Sequence, residues 1–305
     1  PGRGQKVGTT SFQFLKVIPD ARSTAMGEAY VAADASSEVL FWNPGAAVNV
    51  SKLDLSISHV NWFMDTELYA FSAAFTFPAF GTVGILGMYN DYGAIEVTRV
   101  DFLDFNSDGT FHPGLTGETM LPKSMLIGLS YARSLTNKFS FGLTAKWAQE
   151  DLYLEKASTF LFDGGLMYDT GFKSIKIGAV IRHFGPEVKF INEAYPLPQT
   201  FEVGVNAKLL SPGKALFENV ENHELIFAYS IVHPRDYAQQ QTMGLEYSWN
   251  NLFFVRGGYK FNFDEETITT GLGFRMANIR LDYSYVPMGD FLEPVHRFTF
   301  GYGLN

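Results

Sequence analysis

The feature that most constrains this chain is an alternation of period two carried over segments of ten residues and more. In residues 139–148, Phe139, Phe141, Leu143, Ala145 and Trp147 fall on one face, and Ser140, Gly142, Thr144, Lys146 and Ala148 on the other. Successive side chains of a strand point to opposite sides, so this is a strand with one apolar face and one polar, glycine-rich face. The signature recurs. Phe201, Val203, Val205 and Ala207 oppose Glu202, Gly204, Asn206 and Lys208, and Met243, Leu245, Tyr247 and Trp249 oppose Gly244, Glu246 and Ser248. Near the end of the chain, Ile279, Leu281, Tyr283 and Tyr285 oppose Arg280, Asp282 and Ser284.

A soluble sandwich alternates too, and three further features separate the two cases. The strands are long, where strands of soluble proteins average about 5–6 residues. Aromatic residues sit at strand ends (Trp62, Tyr69, Trp147, Tyr168, Trp249, Tyr259 and Tyr285), as an interfacial girdle requires. The connections alternate between tight turns, such as Asn250-Asn251 and Ala277-Asn278, and long loops at residues 92–122, 186–198 and 287–294. Short turns at one end and long loops at the other are the layout of a transmembrane barrel in an outer membrane. About fourteen strands can be placed, among them starts near Lys52, Thr159, Tyr237 and Pro294. The run Leu225 to Val232 is apolar throughout and leaves its facing open. The fold class expected is all-β: a barrel of about fourteen antiparallel strands over residues 51–305, with residues 1–50 as a hatch inside its lumen.

Composition agrees. Of 305 residues, 18% are charged, and there are 29 Gly, 29 Phe and 15 Tyr, a mixture that suits β structure. Cysteine is absent, which removes disulfides, thiolate metal sites and cysteine nucleophiles together. No run of about 18 apolar residues offers a transmembrane helix. A net charge of −9 argues against nucleic acid as a partner. A chain that opens Pro1-Gly2 without Met reads as already relieved of a signal peptide.

Residues 19–48 do not alternate. Ala21, Ala25, Ala29, Ala32 and Ala33 with Met26 give small apolar residues at helical spacing, and Gly27 shortens or bends any helix they form. Asp34 and Ser36 supply turn chemistry before the apolar run Val39-Leu40-Phe41-Trp42, and Asn43-Pro44-Gly45 ends it. A barrel of fourteen strands leaves a lumen too wide for side chains alone, and this compact element is the expected plug. Its expected key residues are Pro19, Ala21, Arg22, Met26, Gly27, Asp34, Phe41, Trp42, Asn43 and Pro44. The lumen-facing charges form a second group: Glu246, Arg256, Lys260, Arg275, Arg280 and Asp282, with Arg182, Glu202 and Lys208 nearby in pattern. Both signs are present, so a paired interior network is expected; the sharper alternative is an Arg/Lys cluster that holds a carboxylate or phosphate.

The hatch string carries a resemblance. Ala29-x-x-Ala32-x-Asp34-Ala35-Ser36 followed by Phe41-Trp42-Asn43-Pro44 resembles the N-terminal hatch of FadL-type outer-membrane barrels. The fuller string Phe14-Leu15-x-x-x-Pro19-x-Ala21-Arg22-x-x-Ala25-Met26-Gly27-x-Ala29 resembles the PorV/PorQ branch of that superfamily, the barrels of type IX protein secretion. Gly45 stands where that family usually has Ala, and the chain is shorter than typical PorV proteins. The resemblance implies a non-enzymatic component of a secretion or surface-attachment machinery. Its partners would be outer-membrane lipid and other outer-membrane or secreted proteins, gripped by the outer loops. FadL itself implies passive uptake of a hydrophobic small molecule. That alternative needs an apolar pocket between hatch and wall, for which Phe12, Phe14, Leu15, Leu40, Phe41 and Trp42 are available.

Catalysis finds little support. His59, His112, His183, His223, His233 and His296 are scattered without metal-ligand spacing, and no serine sits in a nucleophile elbow. One local ligand signal exists. Asp104, Asn106, Asp108 and Thr110 set oxygens at alternate positions around Gly109, like the first half of a calcium loop, with Glu118 as a donor that could reach back. Leu115 occupies the twelfth position, where an EF-hand needs a bidentate Glu, and Asn/Asp/Gly strings are also ordinary turns.

Overall fold

The computed structural model describes residues 8–33, 36–289 and 292–304. Fourteen strands form the wall: β1 Leu53–Asn61, β2 Glu67–Phe77, β3 Gly81–Asp91, β4 Lys123–Ser134, β5 Phe139–Asp151, β6 Lys156–Asp169 and β7 Lys176–Phe184. They continue with β8 Thr200–Ser211, β9 His223–Pro234, β10 Gln240–Trp249, β11 Phe253–Phe261, β12 Ile268–Met276, β13 Ile279–Val286 and β14 Val295–Leu304. Each is hydrogen-bonded antiparallel to the next, and β14 returns to β1 in the register Leu53↔Leu304. Closure leaves no sheet edge, which is what strands surrounded by lipid require. The expected starts at Thr159 and Tyr237 lie at Lys156 and Gln240; the rest fall closer.

The two faces are chemically distinct. Outward positions carry Ile57, Leu129, Phe160, Leu272 and Phe300, all exposed and apolar, while inward positions carry Ser, Thr, Gly and charge. That inverts a soluble protein and matches a wall bathed in lipid. The open facing of Leu225 to Val232 resolves by register: Ile226, Ala228, Ser230 and Val232 point inward. Rings gather near both ends of the wall. Tyr131 packs on Phe80 and Phe141, and Phe253 on Trp249 and Phe274, at the short-turn end; Tyr69, Tyr259 and Tyr285 lie toward the long loops. Trp62 is an exception to the expected girdle. It turns inward, with the Arg297 guanidinium 5.1 Å from its ring centre.

Loop 92–122 is not irregular chain. It forms a two-stranded hairpin, Ile95–Phe105 with Phe111–Met120, separate from the wall and with breaks in register after Glu96 and Thr98. Asp104 lies at the end of the first strand of this hairpin, and residues 106–110 are its turn. Asp108 Oδ1 accepts from Thr110 N (3.0 Å) and Thr110 Oγ1 (2.6 Å), and Asn106 Nδ2 donates to Thr110 Oγ1 (2.9 Å). These oxygens are spent on the turn, and Glu118 pairs with Arg99 (3.3 Å) instead of reaching back. In this arrangement the stretch is a turn, the second of the two readings its sequence allows. Among the described residues no group of three His, Cys, Asp or Glu side chains is arranged to hold a metal ion.

Residues 10–33 and 36–50 lie inside the barrel. They fold as three 3-10 turns (Gln13–Lys16, Ser37–Phe41, Pro44–Asn49) and one short helix, α1 Ala21–Ala25. The helical spacing of Ala29, Ala32 and Ala33 does not extend α1, because Gly27 (φ 64°) and Glu28 (φ 67°) both turn left-handed just after it. Both chain ends would be expected on the short-turn side. The C-terminal strand does end there, but Ser11 N donates to Pro196 O (2.9 Å) and Phe12 meets Phe190, which places this part of the hatch among the long loops.

Candidate functional site

The hatch is fitted to the wall through glycine. Inward glycines of eight strands face it: Gly84 meets Leu40, Gly142 meets Pro44, Gly165 meets Asn43, Gly178 and Gly204 meet Val31, Gly244 meets Met26, Gly258 meets Gly27 and Gly271 meets Ala25. A Cβ added at Gly258 would lie 2.5 Å from Gly27 Cα, so the hatch backbone runs where wall side chains would otherwise stand. The same holds from the hatch side at Gly45, whose Cβ would come within 2.7 Å of Gly165 O. The alanine usual in the resembled family would not fit there.

Each expected hatch residue among the described ones has a place. Pro19 is buried, Ala21 N donates to Thr299 Oγ1 (3.0 Å), and Gly27 N donates to Thr269 Oγ1 (2.9 Å). Met26 packs over Gly244, and Phe41 lies in the buried apolar cluster with Trp42. Asn43 ties the hatch to itself and to the wall: Nδ2 donates to Val31 O (2.8 Å) and Leu166 O (2.9 Å), while Oδ1 accepts from Gly45 N (2.9 Å). Pro44 follows against Gly142. Asp34 lies outside the described residues. Asp20 is a hatch residue the sequence reading missed. It caps α1 by accepting from Ser23 N (2.8 Å) and also accepts from Trp42 Nε1 (3.0 Å), locking two turns of the hatch together. The Asp-x-x-Ser spacing was the available signal.

Charge completes the attachment. Arg22 makes a bidentate pair with Glu246 (2.7 and 2.8 Å), which also takes Arg256 Nε (2.5 Å); Arg256 Nη1 reaches Asp282 (2.6 Å). Lys260 holds Glu28 of the hatch (2.8 Å) and Glu266 of an outer loop. Arg280 meets Asp54 (2.5 Å) and Glu38 of the hatch (3.3 Å). Although burial pushes the Glu38 carboxyl up, the Arg280 charge holds it below its ordinary range. Five of the six expected lumen charges thus form the paired network, with hatch residues supplying a large share of it. Such buried pairs fix geometry more than they add stability. Arg275 stands apart: its guanidinium donates to Asn251 Oδ1 (3.0 Å), and no ion pair joins it to an acid among the described residues.

The seated hatch divides the lumen. On the long-loop side lies a cavity of about 360 Å³ between hatch and wall. Leu15, Ile18 and Trp42 of the hatch and Trp62, Val232 and Phe263 of the barrel give it an apolar lining. Buried polar atoms without partners border it: Arg182 Nε, Glu202 Oε1, Asp236 Oδ1 and Arg297 Nη1. Burial alone would raise the Asp236 carboxyl, but hydrogen bonds from Lys16 and Thr10 hold it low and charged. Beside the cavity the wall is irregular. Between Phe162 and Gly164 the β6–β7 register shifts, His183 takes φ 59°, and its N–H donates to Asp163 Oδ1 (2.8 Å). On the short-turn side lies a second cavity of about 830 Å³. Phe12, Phe14, Leu40 and Phe41, expected as pocket lining, are instead packed into the buried cluster.

The class these features define is a closed, fourteen-stranded antiparallel barrel with an apolar outer wall and a hatch in its lumen. The comparisons with known structures agree on the fold. The chain is similar to TodX, described as the Pseudomonas putida toluene transporter (TM-score 0.60, 12% identity, covering 92% of this chain and 95% of that one). It is similar to CymD, described as a monoaromatic hydrocarbon channel (TM-score 0.60, 12% identity, 97% and 99% covered). A Pseudomonas aeruginosa FadL homologue matches with TM-score 0.53, 10% identity and coverage of 99% and 100%. No protein-family model matches the sequence, and no curated protein does.

Proposed function

We propose that this barrel admits a small, largely apolar molecule from outside into the cavity above its hatch, as the first stage of passive passage across the outer membrane. The cavity carries the reading. It is apolar on several sides, lies on the long-loop side, and its volume of about 360 Å³ suits a ligand of one or two rings. TodX and CymD, which share the fold, are described as acting on monoaromatic hydrocarbons. Inward travel stops at the hatch floor, so release requires the hatch to shift.

Tryptophan fluorescence tests the reading, because Trp42 and Trp62 line the cavity while Trp147 and Trp249 lie on the outer wall. In a Trp147→Phe/Trp249→Phe background, toluene or naphthalene should change the emission saturably, and Val232→Trp, which fills the cavity, should abolish toluene binding measured by calorimetry. A change that does not saturate, or binding that survives Val232→Trp, contradicts it.

One observation favours a second reading, the PorV-like role in secretion. The outer hairpin displays Val100 (83% exposed), Phe105 (70%) and Phe111 (59%) away from any lipid-facing strand, as a protein-binding surface would. Co-purification in mild detergent separates the readings. Large outer-membrane or secreted proteins retained by the intact barrel, and lost when these three residues become Ser, support secretion; a lone barrel supports uptake.

A further inference from the structure

The cavity below the hatch has a different chemistry. It encloses about 830 Å³ and is lined by cations from several elements, among them Arg22, Lys173, Lys208, Lys214 and Arg275. Most of these are engaged. Lys208 Nζ meets Glu224 (2.8 Å), Lys173 Nζ donates to Leu216 O, and Arg22 is held by Glu246. Among those that stand on a wall strand, Arg275 is the one without an acid partner among the described residues. It stands directly opposite Arg280 across the β12–β13 ladder, a like-charge pairing that destabilises a sheet unless neutralised. Arg280 has Asp54 and Glu38; no ion pair joins Arg275 to an acid among the described residues. Its Nε is buried without a partner, and its guanidinium is steadied 5.1 Å from the Phe254 ring centre.

We propose that this cavity binds a phosphate-bearing organic anion, with the phosphate seated on the Arg275 guanidinium. The planar fork of an arginine matches two phosphate oxygens, and such charge-assisted pairs are roughly twice as strong as neutral hydrogen bonds. The anion would relieve the Arg275–Arg280 repulsion. Lys173 and Lys214 add positive charge at the rim, which favours a dianion over a simple carboxylate. The volume leaves room for the organic part beside Phe254 and Ile226. The acids in the same lining are spent locally in part: Glu224 on Lys208 and Ser211, and Asp169 Oδ1 on Gly171 N (2.8 Å).

The test titrates the full-length barrel in detergent with inorganic phosphate and with glycerol 3-phosphate, by calorimetry and phosphorus-31 NMR at constant ionic strength. Saturable binding is expected. Arg275→Gln should weaken it about tenfold or more, and Arg275→Lys less, since a lysine keeps the charge but loses the fork. Val232→Trp, in the other cavity, should leave it unchanged. Heat-modifiable migration of each variant reports that the barrel is intact. Phospholipid retained by the purified protein, lost in Arg275→Gln and displaced by glycerol 3-phosphate, would identify a lipid headgroup as the source; binding without retained lipid would identify a soluble phosphate ester. No saturable binding to the unaltered protein, or equal affinity in Arg275→Gln, overturns the proposal.

Discussion

Two adjacent glycines of β11 offer a controlled test of how the hatch is held. Gly258 points inward, and a Cβ there would sit 2.5 Å from both Gly27 Cα and the Met26 carbonyl carbon. Gly257 points outward, and its nearest neighbour would be Thr269 O at 4.0 Å. Carbon contacts relax near 3.5 Å, so Gly258→Ala obliges the hatch backbone to retreat by about 1 Å. Overpacking of that order costs about 1–3 kcal/mol, while Gly257→Ala should gain about 0.5 kcal/mol from reduced unfolded-state freedom. The cost falls on the hatch, because the ladders of β11 to its neighbours are unaffected on their outward face. Hydrogen exchange measured by mass spectrometry reads it directly. Amides of α1 and Gly27 should exchange about ten- to hundredfold faster in Gly258→Ala and no faster in Gly257→Ala, since each 1.4 kcal/mol is a factor of ten. Equal exchange in the two variants would refute the glycine-fitted hatch.

Three further outcomes are expected. Burial, and then the nearby Glu38 charge, push the Asp20 carboxyl up to about 6; the folded state therefore holds a proton between about pH 4 and 6 that the unfolded chain has released, so this residue's contribution to stability falls as pH rises through that window and Asp20→Asn should flatten that part of the melting profile. Cysteine labelling on whole cells should modify Ser107→Cys and spare Thr136→Cys, the chain having no cysteine of its own; the reverse pattern would invert the barrel. Calcium titration of the protein and of Asp108→Ala should give the same flat calorimetric trace, because the Asp108 carboxylate already closes the hairpin turn; heat in the first trace alone would restore the calcium loop.

The wall was legible because one rule, alternation with aromatic ends, repeats in most strands and needs no partner to be known. Even the ambiguous β9 yields once its register with β8 and β10 is set. The hatch was legible as an insert but not in its path. Ala29, Ala32 and Ala33 keep a helical rhythm, yet the left-handed Gly27–Glu28 pair breaks the chain direction, and only contact with Gly244 and Gly258 shows why. The glycines of the polar face were visible as composition; that they form a seat for the hatch depends on which side of the wall each faces and on what lies opposite. Among the charges, Arg275 reads like Arg256 in sequence. Its isolation follows from where Glu38, Asp54 and Asp282 point, a property of side-chain placement that spacing does not carry.

The claim on which the rest depends is that the chain's own N-terminal segment seals the barrel, and single-channel conductance in planar bilayers measures it most directly. The intact protein should show no steady ohmic steps, and the barrel lacking residues 12–50 should refold to a heat-modifiable form that conducts continuously. A conducting intact protein, or a deletion variant as closed as the original, would contradict the account.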